Sequence, residues 1–189
     1  MVRKGTKEQA LLRQIVRGNT IAMKEFFTIY SGYLTAVCSR YVSNEENVKD
    51  ILQESFIKIF KAVERFEYKG EGSLKAWSAR IVVNEALKHI KENQKLKVTN
   101  LPSWDLPDMT DDQEPDFEDI PTSAILDMIR TLPVGYRTVF NLYVFEEKSH
   151  KEIAQILGIA ENSSASQLHR AKRLLIKEIE SYRIKKMAL

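Results

Sequence analysis

Between Val98 and Pro121 the chain carries eight carboxylates (Asp105, Asp108, Asp111, Asp112, Glu114, Asp116, Glu118 and Asp119), no lysine or arginine, and four of its five prolines. The apolar residues of this stretch follow neither the helical nor the strand period, and each proline removes a backbone donor that a helix or a sheet would need. A segment of this composition cannot contribute to a core, so the 189 residues cannot fold as one continuous body. It reads as a flexible acidic linker over residues 98–121, able to reach roughly 80 Å when fully extended.

The linker also explains why the overall charge of +3 is uninformative. Residues 1–97 carry a net +7 and residues 122–189 a net +4, and the linker's −8 offsets most of it. Two basic modules on an acidic tether are therefore expected. With 43% hydrophobic residues and only seven glycines, both modules should be helical. The predicted fold class is all-α: two small helical domains, 1–97 and 122–189, joined by the linker. Collagen, whole-chain disorder and disulfide scaffolds are excluded by composition. Cys38 is the single cysteine, without a disulfide partner or metal-ligand spacing. The first nine residues lack the apolar core of a signal peptide, and no run of eighteen apolar residues exists to span a bilayer. A cytoplasmic protein with no membrane insertion is expected.

In the first module, Thr6 and Gln9 suit a capping box ahead of a short helix carrying Leu11, Leu12, Ile15 and Val16, which ends before Gly18 and Asn19. A second helix is predicted from Thr20, with Ala22, Met23, Phe26, Phe27, Tyr30, Tyr33, Leu34, Val37, Cys38 and Tyr41 as its core stripe. A third follows Ser43 and Asn44, with Val48, Ile51, Leu52, Phe56, Ile59, Phe60, Val63 and Phe66 on one face and Asp50, Gln53, Glu54 and Lys58 between them. By spacing alone that polar cluster reads more readily as a solvated surface. After a loop with Lys69, Gly70 and Gly72, a long helix with Ser73 as N-cap places Trp77, Arg80, Asn84, Lys88, Lys91 and Lys95 at steps of three or four. Cations neutralise phosphates, an amide reads a base edge and an indole stacks on an unpaired base, although a core Trp77 beside solvated lysines fits the same spacing. The two glycines lack the strand and the Gly-Lys-Ser/Thr ending of a nucleotide-binding loop.

In the second module, Ile125, Met128, Ile129 and Leu132 form a short amphipathic helix. Pro133 suits the first turn of the next, which continues through Tyr136, Val139, Phe140 and Tyr143. Ser149 to Glu152 is a capping box opening a helix over Lys151 to Leu157, and Gly158 and Ile159 make a tight turn. The last helix, from about Asn162 to Tyr182, is expected to pack through Leu168, Ala171, Leu175 and Ile179. That arrangement leaves Ser163, Ser164, Gln167, Arg170, Arg173 and Lys177 to solvent. Helix, glycine turn and helix make a helix-turn-helix whose second helix suits a major groove. A plain helical hairpin has the same apolar pattern, but seven bases against two acids from Ser163 onward favour DNA.

Three segments together resemble bacterial RNA polymerase sigma factors of the extracytoplasmic-function group. Asp50-Ile51-Leu52-Gln53-Glu54-Ser55-Phe56 is similar to the family's polymerase-docking helix. Gly70 to Trp77, with Ala79-Arg80-Ile81 and Asn84, is similar to its promoter-melting and minus-ten-reading segment. Glu152-Ile153-Ala154 through Leu168-His169-Arg170-Ala171 is similar to its minus-thirty-five helix-turn-helix. The resemblance implies that Asp50, Gln53 and Glu54 grip core RNA polymerase, with Phe56 packed beneath them. It implies that the loop bearing Lys69, Gly70 and Ser73 holds a base flipped from the non-template strand, with Trp77, Arg80, Asn84, Lys88 and Lys91 along the approach. Ser163, Ser164, Gln167, Arg170 and Arg173 become candidates for reading upstream duplex. The implied partners are core RNA polymerase and promoter DNA, double-stranded upstream and single-stranded downstream. An anti-sigma factor is a further partner that no residue here identifies.

Two departures bear on specificity: Lys88 stands where many members carry Asp, and Ser163 to Gln167 lack two cations common in that turn, which implies weaker phosphate attraction there. No enzyme activity, metal or cofactor is expected, since His89, His150 and His169 are scattered and no nucleophile motif appears. A free-standing helix-turn-helix regulator is the alternative, but it leaves the first module without a role. A purely protein-binding helical adaptor predicts no DNA affinity even at low salt.

Overall fold

The computed structural model of the protein describes residues 6–93 and 114–187, so Lys95 and most of the acidic linker lie outside the described residues. Every regular element among them is a helix, and the chain divides into two compact units, residues 1–92 and 93–189.

The first unit contains α1 (Lys7–Val16), α2 (Thr20–Ser39), α3 (Glu45–Ala62), a single 3₁₀ turn (Val63–Arg65) and α4 (Ser73–Asn93). Short polar residues set the starts. The Thr6 hydroxyl accepts from the Gln9 N–H, Asn19 accepts from Ile21 and Ala22 at 2.9 and 3.2 Å, and Asn44 accepts from Asn47 at 2.9 Å. Phe26 has no exposed surface and its ring meets those of Tyr30, Phe56 and Phe60, with centroids 4.7 to 6.2 Å apart. The buried core of the unit also includes Leu34 and Cys38 of α2, Ile59 of α3, and Leu74, Val82 and Ile90 of α4. Burial pushes the Cys38 thiol up to about 12, which makes it a small core hydrophobe and not a nucleophile.

Three expectations for this unit need correction. Phe27 and Tyr33 are 50% and 39% exposed, because α2 packs through an arc narrower than its apolar stripe. Phe66 lies beyond the end of α3 in extended backbone and packs on Trp77. Ser73 is the first residue of α4, not its cap: its hydroxyl donates to the Gly70 carbonyl at 2.6 Å and accepts from the Lys69 N–H, so it closes the loop behind it.

The second unit holds α5 (Thr122–Thr131), α6 (Val134–Val144), α7 (His150–Leu157) and α8 (Glu161–Met187). Here α6 is the core helix, buried from Gly135 through Leu142 and packed on both α7 and α8. Three of its polar side chains bond to nearby carbonyls: Thr138 donates to Val134, Asn141 to Arg137, and Arg137 to the Arg130 carbonyl at the end of α5. Burial, and then the Arg130 charge, lower the Arg137 pKa below the ordinary arginine value. Tyr143, expected on the apolar side of α6, is 40% exposed. Pro133 sits at the N-cap of α6, one position before the first turn.

The α7 start has the reciprocal capping box. Ser149 accepts from the Glu152 N–H, and the Glu152 carboxylate accepts from the Ser149 N–H at 2.9 Å, so the helix begins at His150, one residue earlier than expected. Gly158 then ends α7 in the left-handed region at φ +70°, a conformation costly for any residue with a Cβ, and the chain turns into α8. Ile153 of α7 and Leu168, Leu175 and Ile179 of α8 are buried, each burial contributing about 1.5–3 kcal/mol.

The described end of the acidic stretch lies along α8. Arg183 donates to the Asp116 carboxylate at 2.8 Å, Lys172 pairs with Glu114, and Ile120 is buried. Both ion pairs are partly exposed, in the class worth about 0–1 kcal/mol.

Candidate nucleic-acid and protein interfaces

Three surfaces gather the candidate residues. The first is a cavity of about 440 Å³ at the start of α4, with Phe66, Lys69, Ser73, Trp77 and Arg80 among its walls. Trp77 is half-buried, its ring 4.8 Å from that of Phe66 and tilted by 35°, so one face is core and the remainder borders the cavity. From there Arg80, Asn84, Lys88 and Lys91 follow along α4, all exposed. At 100° per residue these five positions span an arc of about 80°. Lys88 makes a loose ion pair with Glu92 at 3.9 Å, both side chains well exposed. A concave aromatic and cationic mouth continued by an amide and two lysines suits an unpaired base followed by its phosphodiester backbone.

The loop that forms the lip of this cavity is held from a distance. Glu8 of α1 is 7% exposed, and its carboxylate accepts from the Gly72 N–H at 2.7 Å, the Lys75 N–H at 3.2 Å and the Tyr30 hydroxyl at 3.2 Å. One turn earlier in the chain, the Thr6 and Tyr68 hydroxyls are hydrogen-bonded. Burial, and then the Glu8 charge, push the Tyr30 phenol up to about 12. Gly72 can take part because it stands at φ +85°, where a side chain would strain the backbone. Sequence marked Thr6 only as a cap and Tyr30 only as a core residue, and gave no signal at Glu8 or Tyr68, because the partners in this network lie 22 to 67 positions away.

The second surface is the outer side of α3, where Asp50, Gln53 and Glu54 are all exposed within an arc of about 100°. Asp50 and Glu54 face a groove shared with Glu85, Lys88 and His89 of α4. Gln53 borders an apolar depression of about 510 Å³ lined by Phe27, Leu52, Phe56 and Ile57. Phe56 is 7% exposed, in accord with a place beneath the polar cluster, and Lys58 reaches Glu85 at 2.5 Å to tie α3 to α4.

The third surface is the start of α8, and here the sequence reading needs correction. Ser164 and Gln167 are 0% and 5% exposed. The Ser164 hydroxyl is bonded to His150 Nδ1 at 3.0 Å, with the His150 ring stacked on Tyr143, and Gln167 lies over Gly135, where a Cβ would come within 2.8 Å of its Oε1. Ser164 lies one turn before Leu168, within the apolar arc of α8, and close approach of α6 widens that arc to take in Gln167. Buried side chains cannot reach a base edge. Ser163, Arg170 and Arg173 remain half-exposed, with Arg170 donating to the Tyr136 hydroxyl at 3.4 Å. The outermost positions of this turn are Asn162, Ala165 and Ser166, with His169 half-exposed one turn later. Taking the inward arc as Ser164, Gln167, Leu168 and Ala171 would have pointed to them.

Among the described residues no group of His, Cys, Asp or Glu is arranged to hold a metal ion, and no helix is long and apolar enough to cross a membrane.

Comparison with known proteins agrees with this geometry in both units. Residues 26–96 match the model of sigma-70 region 2 and residues 122–175 that of sigma-70 region 4. The chain is 26% identical over 183 residues to the ECF RNA polymerase sigma-E factor of Haemophilus influenzae, covering 92% of this chain and 95% of the relative. It is 29% identical over 135 residues to the RNA polymerase sigma factor SigV of Bacillus subtilis, covering 71% and 77%. A solved structure of CnrH in complex with the cytosolic domain of CnrY aligns with a TM-score of 0.48 and 19% identity, covering 91% of this chain and 96% of that one. With successive sigma-70 regions matched in its two units and sigma factors as its relatives, the chain belongs to the sigma-70 family, in its extracytoplasmic-function group.

Proposed function

We propose that the protein works in the cytoplasm as a promoter-specificity subunit of RNA polymerase, with residues 1–97 docking and reading downstream, 98–121 tethering, and 122–189 reading upstream. The observation that carries this is the union, in one chain, of region 2 and region 4 matches with an exposed aromatic-to-lysine arc on α4 and a helix-turn-helix at α7 and α8. In this reading Asp50, Gln53 and Glu54 contact core polymerase. Lys69, Gly70, Ser73 and Trp77 surround a base captured from the non-template strand, and Arg80, Asn84, Lys88 and Lys91 guide the single strand that follows. On α8, Ser163, Arg170 and Arg173 flank the face that enters the upstream major groove. An anti-sigma partner is proposed on family membership alone.

The subunit performs no bond chemistry. Flipping a base costs a few kcal/mol of stacking, which the cavity and the polymerase contacts must offset.

Run-off transcription on fragmented genomic DNA with core polymerase tests the proposal. Discrete new starts that share upstream sequence at two positions are expected only when the protein is added. No new starts, together with duplex binding by the protein alone, would favour a free-standing regulator. On a mapped promoter, Asn84→Ala combined with Lys88→Ala should impair opening while leaving core affinity intact, and normal opening would refute the role given to α4.

A further inference from the structure

We infer that Glu8 is a positioning residue for base capture: from α1 it sets the shape of the loop that closes the α4 cavity, and discrimination of the captured base depends on it. The inference rests on the reading of that cavity proposed above.

A helix begins with backbone N–H groups that have no partner inside the helix, and a side chain just ahead of it normally supplies one. The residue just ahead of α4 is Gly72, which has no side chain, and the Ser73 hydroxyl is committed to the loop, donating to Gly70 and accepting from Lys69. The cap is therefore imported. Glu8 spans the first turn, one oxygen on the Gly72 N–H and the other on the Lys75 N–H, and places a negative charge where the helix dipole favours it. Tyr30 of α2 donates to the same carboxylate and holds its orientation.

The consequence falls on the loop. Thr6 grips Tyr68 and Glu8 grips Gly72, so both ends of the segment Lys69-Gly70-Glu71 are anchored to the first turn of α1. Gly70 and Gly72 stand at φ +128° and +85° with open space around them, so neither packing nor a Cβ fixes their backbone. The two anchors to α1 add to the bonds from Ser73 to Gly70 and Lys69 in supplying that constraint. Lys69 and Ser73, on either side of the glycines, are walls of the cavity, so a shift of the loop moves its mouth. Both anchors come from residues ahead of position 26, outside the span that matches region 2.

The test uses holoenzyme assembled from core polymerase and the full-length protein. The probes are single-stranded oligonucleotides of the mapped downstream element, with the preferred base or a mismatch at the captured position. Discrimination is the ratio of the two affinities. Glu8→Gln keeps the shape of the side chain but turns an amide donor toward one of the two N–H groups, and should lower the ratio by about tenfold, which corresponds to about 1.4 kcal/mol. Core affinity should be unchanged and the variant should remain folded at the assay temperature although the weakened cap lowers its unfolding midpoint, and Thr6→Val should lower the ratio less. Trp77→Ala reports on the cavity itself. If Trp77→Ala abolishes discrimination and Glu8→Gln leaves it within twofold of the original, the positioning role is wrong and the cavity reading stands. If neither variant alters the ratio, the cavity reading fails and the inference with it. A loss that only follows the fraction of protein unfolded would make Glu8 a structural cap and also overturn the inference.

Discussion

Gly158 offers a prediction whose size can be worked from geometry. It ends α7 at φ +70° and ψ +37°, and nothing lies within 4 Å of the place where a Cβ would stand. Gly158→Ala therefore meets no neighbour, and its effect is the backbone cost of a left-handed residue, about 1–2 kcal/mol. Asparagine visits that region more readily, so Gly158→Asn should fall between alanine and the original protein. Native-state hydrogen exchange measures this unit by unit. In Gly158→Ala the slowest amides of α6 and α8 should lose protection by a factor of about 5–30, while those of α2 and α3 stay unchanged. Protection within twofold of the original, or an asparagine variant as damaged as alanine, would refute the argument that conformation alone demands glycine here.

The assignment of faces on α8 predicts opposite phenotypes. Ser164→Val removes the bond to His150 and overfills a buried position, and should destabilise the second unit by about 1–3 kcal/mol. Asn162→Ala and Ser166→Ala should change stability by less than about 0.5 kcal/mol yet alter base preference in the upstream element, as melting and duplex-binding measurements would show; the reverse pattern would invert the assignment. Glu152 ties acid stability to the capping box. The Ser149 N–H, then Lys148 and the Ser149 hydroxyl, hold its carboxyl at about 2 instead of 4.5. Because the folded value is the lower one, its stabilisation is complete above about pH 4.5 and is lost as pH falls through about 2. Glu152→Gln should flatten the decline of α7–α8 stability across that window, and an unaltered slope would show that the carboxylate contributes nothing.

Much of the fold was legible because its causes are local. The Gly18-Asn19 and Ser43-Asn44 breaks, the Ser149 box and the Gly158 turn each act within a few residues, and side-chain periodicity, apolar in α2, α3 and α8 and basic in α4, located the helices. The errors share one origin. Phe27, Tyr33 and Tyr143 continue an apolar period yet are only partly covered, by Phe56, Lys75 and His150 respectively, whereas Gln167 is polar but faces a helix that comes close. A period shows which side of a helix can be buried; how wide the buried arc becomes depends on the neighbour.

The sequence by itself determined that this is an all-helical chain in two basic units divided by an acidic stretch, and its ordered segments pointed to the sigma family. The architecture follows from composition, short-range capping and periodicity, all carried by neighbouring residues, and the family from the resemblance of those segments. Tertiary structure decided which polar side chains remain available to a partner and what holds the loop beside Trp77. Glu8 caps a helix that starts more than sixty residues later, and the breadth of α8 open to DNA is set by α6 lying against it. Neither can be read from local sequence, because a hydrogen bond or a close helix contact between distant positions exists only once the backbone has brought them together.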